Sequence, residues 1–246
     1  MKKENQPIII TSIIAGVILL VAILALVTLS PVSKNVITVE GTSTIKATPD
    51  LITVYYNIET KGATSVEAKD ANEVIFNKLK NLITTIGFEE KDLTTQSYNI
   101  YPNTYWDGRQ EKQDGFVATH SLRIEFSTEK LTKLSSIIDA GANSGAGVSS
   151  INFELTTEAQ NTYKAEALKL ASQDAQVKAE AVAQGFGKSA GKLISVQISN
   201  FGYYPWNIYS SAGRVEDAAS AKESAMNIAP SQQEVTGSVS ATFKIV

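Results

Sequence analysis

Hydrophobic and polar positions along this chain fall into blocks of period two separated by blocks of period near 3.6. Residues 36–47 (VITVEGTSTIKA) are rich in β-branched side chains with partial alternation and predict a strand. Thr48-Pro49-Asp50 is a turn signal, and residues 51–60 predict a second strand with Ile52, Val54, Tyr56 and Ile58 on one face. Thr64 with Glu67 three residues on is a capping box. The helix it opens is expected to turn Ala71, Ile75, Leu79, Leu82 and Ile86 to the core and to end at Gly87. Residues 92–101 and 116–127 predict a hairpin, with residues 102–114 as a long polar loop around the turn pair Asp107-Gly108. Thr128 caps a shorter helix bearing Leu131, Leu134, Ile137 and Ile138, which dissolves into the glycine-rich residues 141–147; residues 148–156 predict a fifth strand.

The longest periodic block is residues 157–187. It contains no proline, its first glycine is Gly185, and it is dense in Ala, Leu, Lys, Glu and Gln, the strongest helix formers. Leu168, Ala171, Ala175, Ala179, Val182 and Phe186 recur every three or four residues and predict one apolar face. An alanine seam lets a helix backbone come close to a flat surface such as a sheet. The rod is about 43 Å long at about 1.5 Å per residue, and Gly185 and Gly187 offer left-handed termini. Residues 193–199 predict a sixth strand. Residues 200–232 predict an extended connection whose run at 216–225 is either a short helix or mobile. Residues 234–246 predict a seventh strand, with Val235, Val239, Ala241, Phe243 and Ile245 alternating. The order ββαββαβαββ, about seven strands and three helices, indicates an α+β domain with a largely antiparallel sheet. The two ββα halves suggest a duplicated unit, but they share no sequence similarity.

Residues 8–29 carry no charge over 22 positions, enough to span about 30 Å of hydrocarbon as a helix. No small-x-small cleavage signal precedes Pro31, so an uncleaved anchor is expected rather than a signal peptide. Lys2 and Lys3 flank one side and Lys34 is the nearest cation on the other, which places the N-terminus in the cytoplasm and the rest outside. The expected organisation is a cytoplasmic stub, anchor and linker over residues 1–34, then one extracytoplasmic domain over residues 35–246. Setting Lys2, Lys3, Lys34 and Glu4 aside from 22 basic and 25 acidic residues leaves 19 and 24, a net of −5. With no basic cluster, that balance argues against nucleic acid and against tight adhesion to anionic lipid. The chain has no cysteine, which excludes disulfides and thiolate chemistry.

In order along the chain, several short motifs resemble those of the SIMPL-domain family, which includes periplasmic immunogenic proteins and oxidative-stress defence proteins of enteric bacteria. They are Val39-Glu-Gly41, Pro49-Asp50, Ala68 with Asn72, Gly87, Thr94 or Thr95 before an aromatic strand and Pro102, Gly115-Phe116-x-Ala118, and Asp139-Ala-Gly141. The most telling stretch carries Ala167, Ala171, Asp174-Ala175, Lys178-Ala179, Ala183, Gly187 and Gly191 at fixed spacing. The resemblance covers nearly all of residues 36–246 and departs in residues 201–229. It implies an exported α+β domain, ring-like or channel-like oligomers in one branch, and an association with lowered oxidative damage in others. It implies no catalytic residue. With no thiol, haem ligand set or metal set in the chain, any stress role would be indirect.

Candidate chemistry is sparse. His120 is the single histidine and cannot build a standard zinc site or a Ser-His-Asp arrangement by itself; it is read as a structural or surface residue. Glu40, Glu59, Glu125 and Glu154 are read as solvent-facing strand residues, the alternative being an acid pair between two of them on neighbouring strands, and residues 141–147 lack the lysine of a phosphate loop. Asp174 and Lys178 are read as an exposed pair or as a contact at the flank of the helix, worth a few tenths of a kcal/mol, about 0.3–0.5, if exposed. No catalytic residue, cofactor or metal is expected. The aromatic residues Tyr98, Tyr101, Tyr105 and Trp106 at the hairpin, and Phe201, Tyr203, Tyr204, Trp206 and Tyr209 in the last connection, stand out. Loop aromatics either anchor interfaces or close the ends of a core. Tyr101, Tyr105, Trp106, Tyr203, Tyr204 and Trp206 are the expected interface. The reading is a single-pass, non-enzymatic module that forms a homo-oligomer or engages an envelope protein. Its alternative is a ligand-binding sensor signalling through the single helix, with a pocket lined by the Tyr98 and Tyr203 clusters.

Overall fold

The computed structural model describes residues 35–226 and 231–246. The anchor expected at residues 8–29 lies outside the described residues, and among those described no helix is long and apolar enough to cross a membrane. The elements are β1 (Val36–Ala47), β2 (Leu51–Gly62), α1 (Ser65–Ile86), β3 (Leu93–Trp106), β4 (Glu111–Ser127) and α2 (Leu134–Ser144). They continue with β5 (Gly147–Glu154), α3 (Thr157–Gly185), β6 (Ala190–Tyr203), β7 (Trp206–Ser210), α4 (Ala218–Met226) and β8 (Gln233–Ile245). Every strand pairing is antiparallel, in a three-stranded sheet β1-β8-β6 and a five-stranded sheet β3-β4-β2-β5-β7.

The α+β class holds, but the described residues contain eight strands and four helices, against the seven and three expected. The added strand β7 comes from the segment read as a connection, and α4 is the short helix left open there at residues 216–225. The segment's own hydrophobicity is low, and it is ordered by apolar surface that other elements supply. Tyr209 pairs with Ile151 of β5, Ala221 is fully buried, and the Lys222 ammonium reaches the Asp139 carboxylate of α2 at 2.7 Å. The expected hairpin loop shrinks because β3 and β4 go on pairing with each other: β3 runs to Trp106, leaving only residues 107–110, where Asp107 Oδ1 accepts from the N–H groups of Arg109 and Gln110. The glycine run does not end α2 early either. Gly141 is inside the helix, packed where a Cβ would stand 2.8 Å from the Tyr56 ring, and the helix closes on left-handed Gly145.

The larger sheet buries Ile52, Val54, Tyr56 and Ile58 of β2 beneath α1 and α2, as period two predicts. On α1, Leu79 of the expected face is buried and Ile75, Leu82 and Ile86 pack against the core, while Ala71 departs from it. Ala68, Asn72, Leu79 and Ile83 are buried while Ala71 is exposed, because Asn72 turns its amide to Ile58 O (3.3 Å) and Ala118 O (3.4 Å). Tyr56 donates to Ile137 O at 2.9 Å, and burial pushes its phenol far above the ordinary range.

The smaller sheet lies against α3. The buried positions are Ala167, Ala171, Ala175, Ala179 and Ala183, an unbroken i, i+4 ladder of alanines. Of the expected face, Ala171, Ala175 and Ala179 hold and Leu168 is half-buried, but Val182 and Phe186 face solvent. The physical reason is distance. A Cβ at Gly41 of β1 would stand 2.0 Å from Ala171 O, and one at Gly237 of β8 would stand 2.9 Å from the Ala167 carbonyl carbon. Only methyl groups fit on a helix that close, so the larger apolar residues turn outward. Asp174 accepts from the Thr42 N–H at 2.8 Å and Lys178 donates to Glu40 O at 3.1 Å, so this pair clamps α3 to the free side of β1. The Lys178 ammonium and then the Thr42 N–H hold the Asp174 carboxyl below the usual range.

Asp50 joins the two sheets. Its carboxylate accepts from the Thr156 N–H and hydroxyl, both at 2.7 Å, and Thr156 Oγ1 in turn accepts from the Ala159 N–H at 3.2 Å as the cap of α3. Ala47, Leu155, Ala167 and Val235 fill the space beside this joint.

Candidate functional site

The five-stranded sheet and α1 enclose an open pocket of about 240 Å³ lined by Lys69, Asn72, Glu73, Phe76, Asn77, Tyr98 and His120. Local sequence explains its walls. Lys69, Asn72, Glu73 and Phe76 recur every three or four residues on α1 and share a face. His120 keeps phase with the buried Ala118, Leu122 and Ile124 of β4, and Tyr98 stands opposite it on β3. The imidazole is packed between Phe76 and Tyr98, with each ring centroid 5.0 Å away.

The hydrogen bonds fix its tautomer. Both Asn72 N–H bonds go to strand carbonyls, so Asn72 Oδ1, 3.2 Å from His120 Nδ1, must accept, and Nδ1 carries the proton. Nε2 then accepts from the Thr95 hydroxyl at 2.8 Å. Desolvation lowers the His120 pKa and favours the neutral ring. Both imidazole nitrogens are therefore engaged within the protein, by Asn72 and Thr95. The signal that could have found this site was in the sequence: His120 lies in the same alternation as its buried neighbours.

At the rim, Lys69 Nζ lies 3.3 Å from both Asp70 and Glu73 carboxylates, bonds that raise its pKa. Glu40, Glu59, Glu125 and Glu154 do not converge: Glu40 accepts from Ser238 Oγ, Glu125 pairs with Arg123, and Glu154 accepts from Asn152. Among the described residues no group of three or more His, Cys, Asp or Glu could hold a metal ion.

The fold does not bring the two aromatic clusters together. Tyr101, Tyr105 and Trp106 are exposed on β3, one edge of the five-stranded sheet, and Trp206 begins β7 at the opposite edge. Trp206 packs on the buried Phe153 ring at 5.6 Å, and Tyr203 Oη accepts from the Leu155 N–H at 2.7 Å, its phenol pushed up to about 12 mainly by burial. Those two side chains close core edges. Tyr204 is 84 % exposed and Trp106 69 %. Tyr98 lines the histidine pocket, and Tyr203 packs at the joint between the sheets.

The model of the family SIMPL, "Protein of unknown function (DUF541)", matches residues 37–243. The chain belongs to the SIMPL family. It is similar to the 26 kDa periplasmic immunogenic protein of Brucella melitensis biotype 1, at 24 % identity over 85 % of this chain and 84 % of the relative. The uncharacterized protein YggE of Edwardsiella ictaluri is 26 % identical over 70 % of this chain and 71 % of its own length. YggE of Escherichia coli K12 is 26 % identical over 71 % and 70 %. Several SIMPL motif residues of this chain have structural duties: Gly41 admits α3, Asp50 holds its cap, and Asn72 ties α1 to two strands.

Proposed function

We propose that this SIMPL protein is a non-enzymatic interaction module of the cell envelope, held by residues 8–29 with its domain outside the cytoplasm, and that it self-associates. Similarity to a periplasmic immunogenic protein supports export, and the uncharged run at residues 8–29 supports the anchor. The observation that carries the association is β6. It is the outer strand of the three-stranded sheet, with Leu193, Ile194, Val196 and Ile198 exposed, and the register sets Leu193, Val196 and Ile198 beside Phe243, Ala241 and Val239 on the face toward α3. A groove of about 380 Å³ continues from it over Val239, Ala241 and Phe243 toward Ser172 and Gln176 of α3. An apolar edge strand is a template for another strand, and soluble folds otherwise blunt it with charge or proline. Tyr101, Tyr105, Trp106 and Tyr204 supply further exposed aromatic surface.

Light scattering coupled to size exclusion on residues 35–246 tests this reading. A defined oligomer that Val196→Lys dissociates is the expected result, and a monomer at every concentration overturns it. The histidine pocket supports a second reading, a sensor for a small ligand. A compound retained on native purification and lost in Tyr98→Ala would favour it.

A further inference from the structure

The fold gathers a group of residues that are scattered in sequence around the point where residues 1–34 join the domain. Asn35 O accepts from the Ile245 N–H at 2.7 Å, and Val36 stands opposite Lys244. Ser189 and Val246 exchange backbone hydrogen bonds of 2.9 and 3.0 Å, and Ala190 faces Ile245. The C-terminal end of α3 reaches the same place, because the Ala190 N–H donates to Glu180 Oε2 at 2.9 Å. One end of the domain therefore presents Phe186, Lys188, Lys192, Lys244 and Val246 together.

Their exposure is unusual for side chains of their kind. Phe186 is 80 % and Val246 63 % exposed. Phe186 sits between Gly185 and Gly187, and nothing lies within 4 Å of where either glycine's Cβ would be. Lys188, Lys192 and Lys244 are all exposed, and the carboxylate of Glu180 beside them is already held by Ala190 and Gln184. The whole-domain charge of −5 conceals this basic end.

We infer that this end of the domain is a membrane-facing surface, with Phe186 entering the headgroup layer of a phospholipid bilayer and Lys188, Lys192 and Lys244 pairing with lipid phosphates. The inference rests on reading residues 8–29 as an anchor. Five residues lie between Leu29 and Asn35, so the Cα-to-Cα reach is about 20 Å when fully extended. The end that carries Asn35 is therefore the part of the domain held closest to the bilayer. There an exposed aromatic ring and lysine stems find the mixed apolar and anionic surroundings that suit them. Avoidance of anionic lipid, expected from the net charge, applies to the domain's average surface and not to this end.

The chain has no cysteine, so Phe186→Cys and, separately, Asn161→Cys can each carry a single environment-sensitive fluorophore. Asn161 lies on the same helix, about 37 Å away at 1.5 Å per residue. The labelled full-length chains are reconstituted in vesicles of phosphatidylethanolamine and phosphatidylglycerol that contain a headgroup-region quencher lipid. Quenching at position 186 at least about threefold above that at 161 is expected. Replacing Lys188, Lys192 and Lys244 by Gln should lower the docked-to-free ratio by about fivefold for each lysine at low salt, and high salt should do the same to the parent chain. Equal, water-like signals at both positions in chains that resist alkaline carbonate washing would overturn the membrane-facing surface and leave the anchor standing. Loss of the chain from the vesicles in carbonate would overturn the anchor, and this inference with it.

Discussion

Gly41→Ala tests the reason offered for the alanine ladder. The added Cβ would stand 2.0 Å from Ala171 O, 2.6 Å from Ala175 N and 2.7 Å from Ala175 Cβ. The first two are helix backbone and cannot swing aside. To restore the 3.4 Å of ordinary contact, α3 must lift by 1.4 Å, the difference between 3.4 and 2.0. That movement stretches the 2.8 Å Thr42–Asp174 and 3.1 Å Lys178–Glu40 bonds beyond useful length. Overpacking costs about 1–3 kcal/mol, and each weakened bond costs about 0.5–1.5 kcal/mol. The stiffer unfolded chain returns about 0.4–1 kcal/mol. A net loss of about 2–4 kcal/mol is expected, a large share of a domain's typical 5–15, roughly. Urea unfolding followed by circular dichroism, with an unchanged denaturant slope, measures it. Gly185→Ala is the internal control, since its Cβ meets nothing within 4 Å. It should stabilise α3 by about 0.5–1 kcal/mol. A Gly41→Ala domain within about 0.5 kcal/mol of the parent would refute the close-approach argument.

The two tryptophans should separate core from surface. Trp206→Ser removes a ring packed against Phe153 and is expected to cost on the order of 2–3 kcal/mol, less than a fully enclosed tryptophan; Trp106→Ser should leave the urea midpoint unchanged, and equal effects would contradict the two placements. His120 gives a pH signature. Its folded pKa lies below the ordinary 6.5, so between the two values the unfolded chain binds more protons. The histidine's contribution is complete above 6.5 and is lost as pH falls through the folded value. The stability difference between parent and His120→Gln should therefore shrink as pH drops below neutrality, and a constant difference would exclude this linkage.

Local patterning determined much of this domain. Period two placed Ile52, Val54, Tyr56 and Ile58 on one buried face, and the Ala/Leu/Lys/Glu density of residues 157–185 marked α3, because these signals act within a few residues. Fixed spacing of Gly41, Asp50, Asn72 and the helix alanines was enough to suggest the family, since those residues are held by specific packing. Other features depended on partners far away in sequence. Periodicity put Val182 and Phe186 on the buried face of α3, and only the closeness of Gly41 and Gly237 shows why methyl groups alone fit there. Residues 206–226 look too polar to fold alone, and they order because β5 and α2 lend them apolar surface. His120 could be placed in a buried phase from sequence, but its tautomer required Asn72, which spends both its N–H bonds on two strands. Composition gave one net charge for residues 35–246 as a whole. Only antiparallel register and the return of α3 could bring Lys188, Lys192 and Lys244 to the end where the N-terminal segment joins.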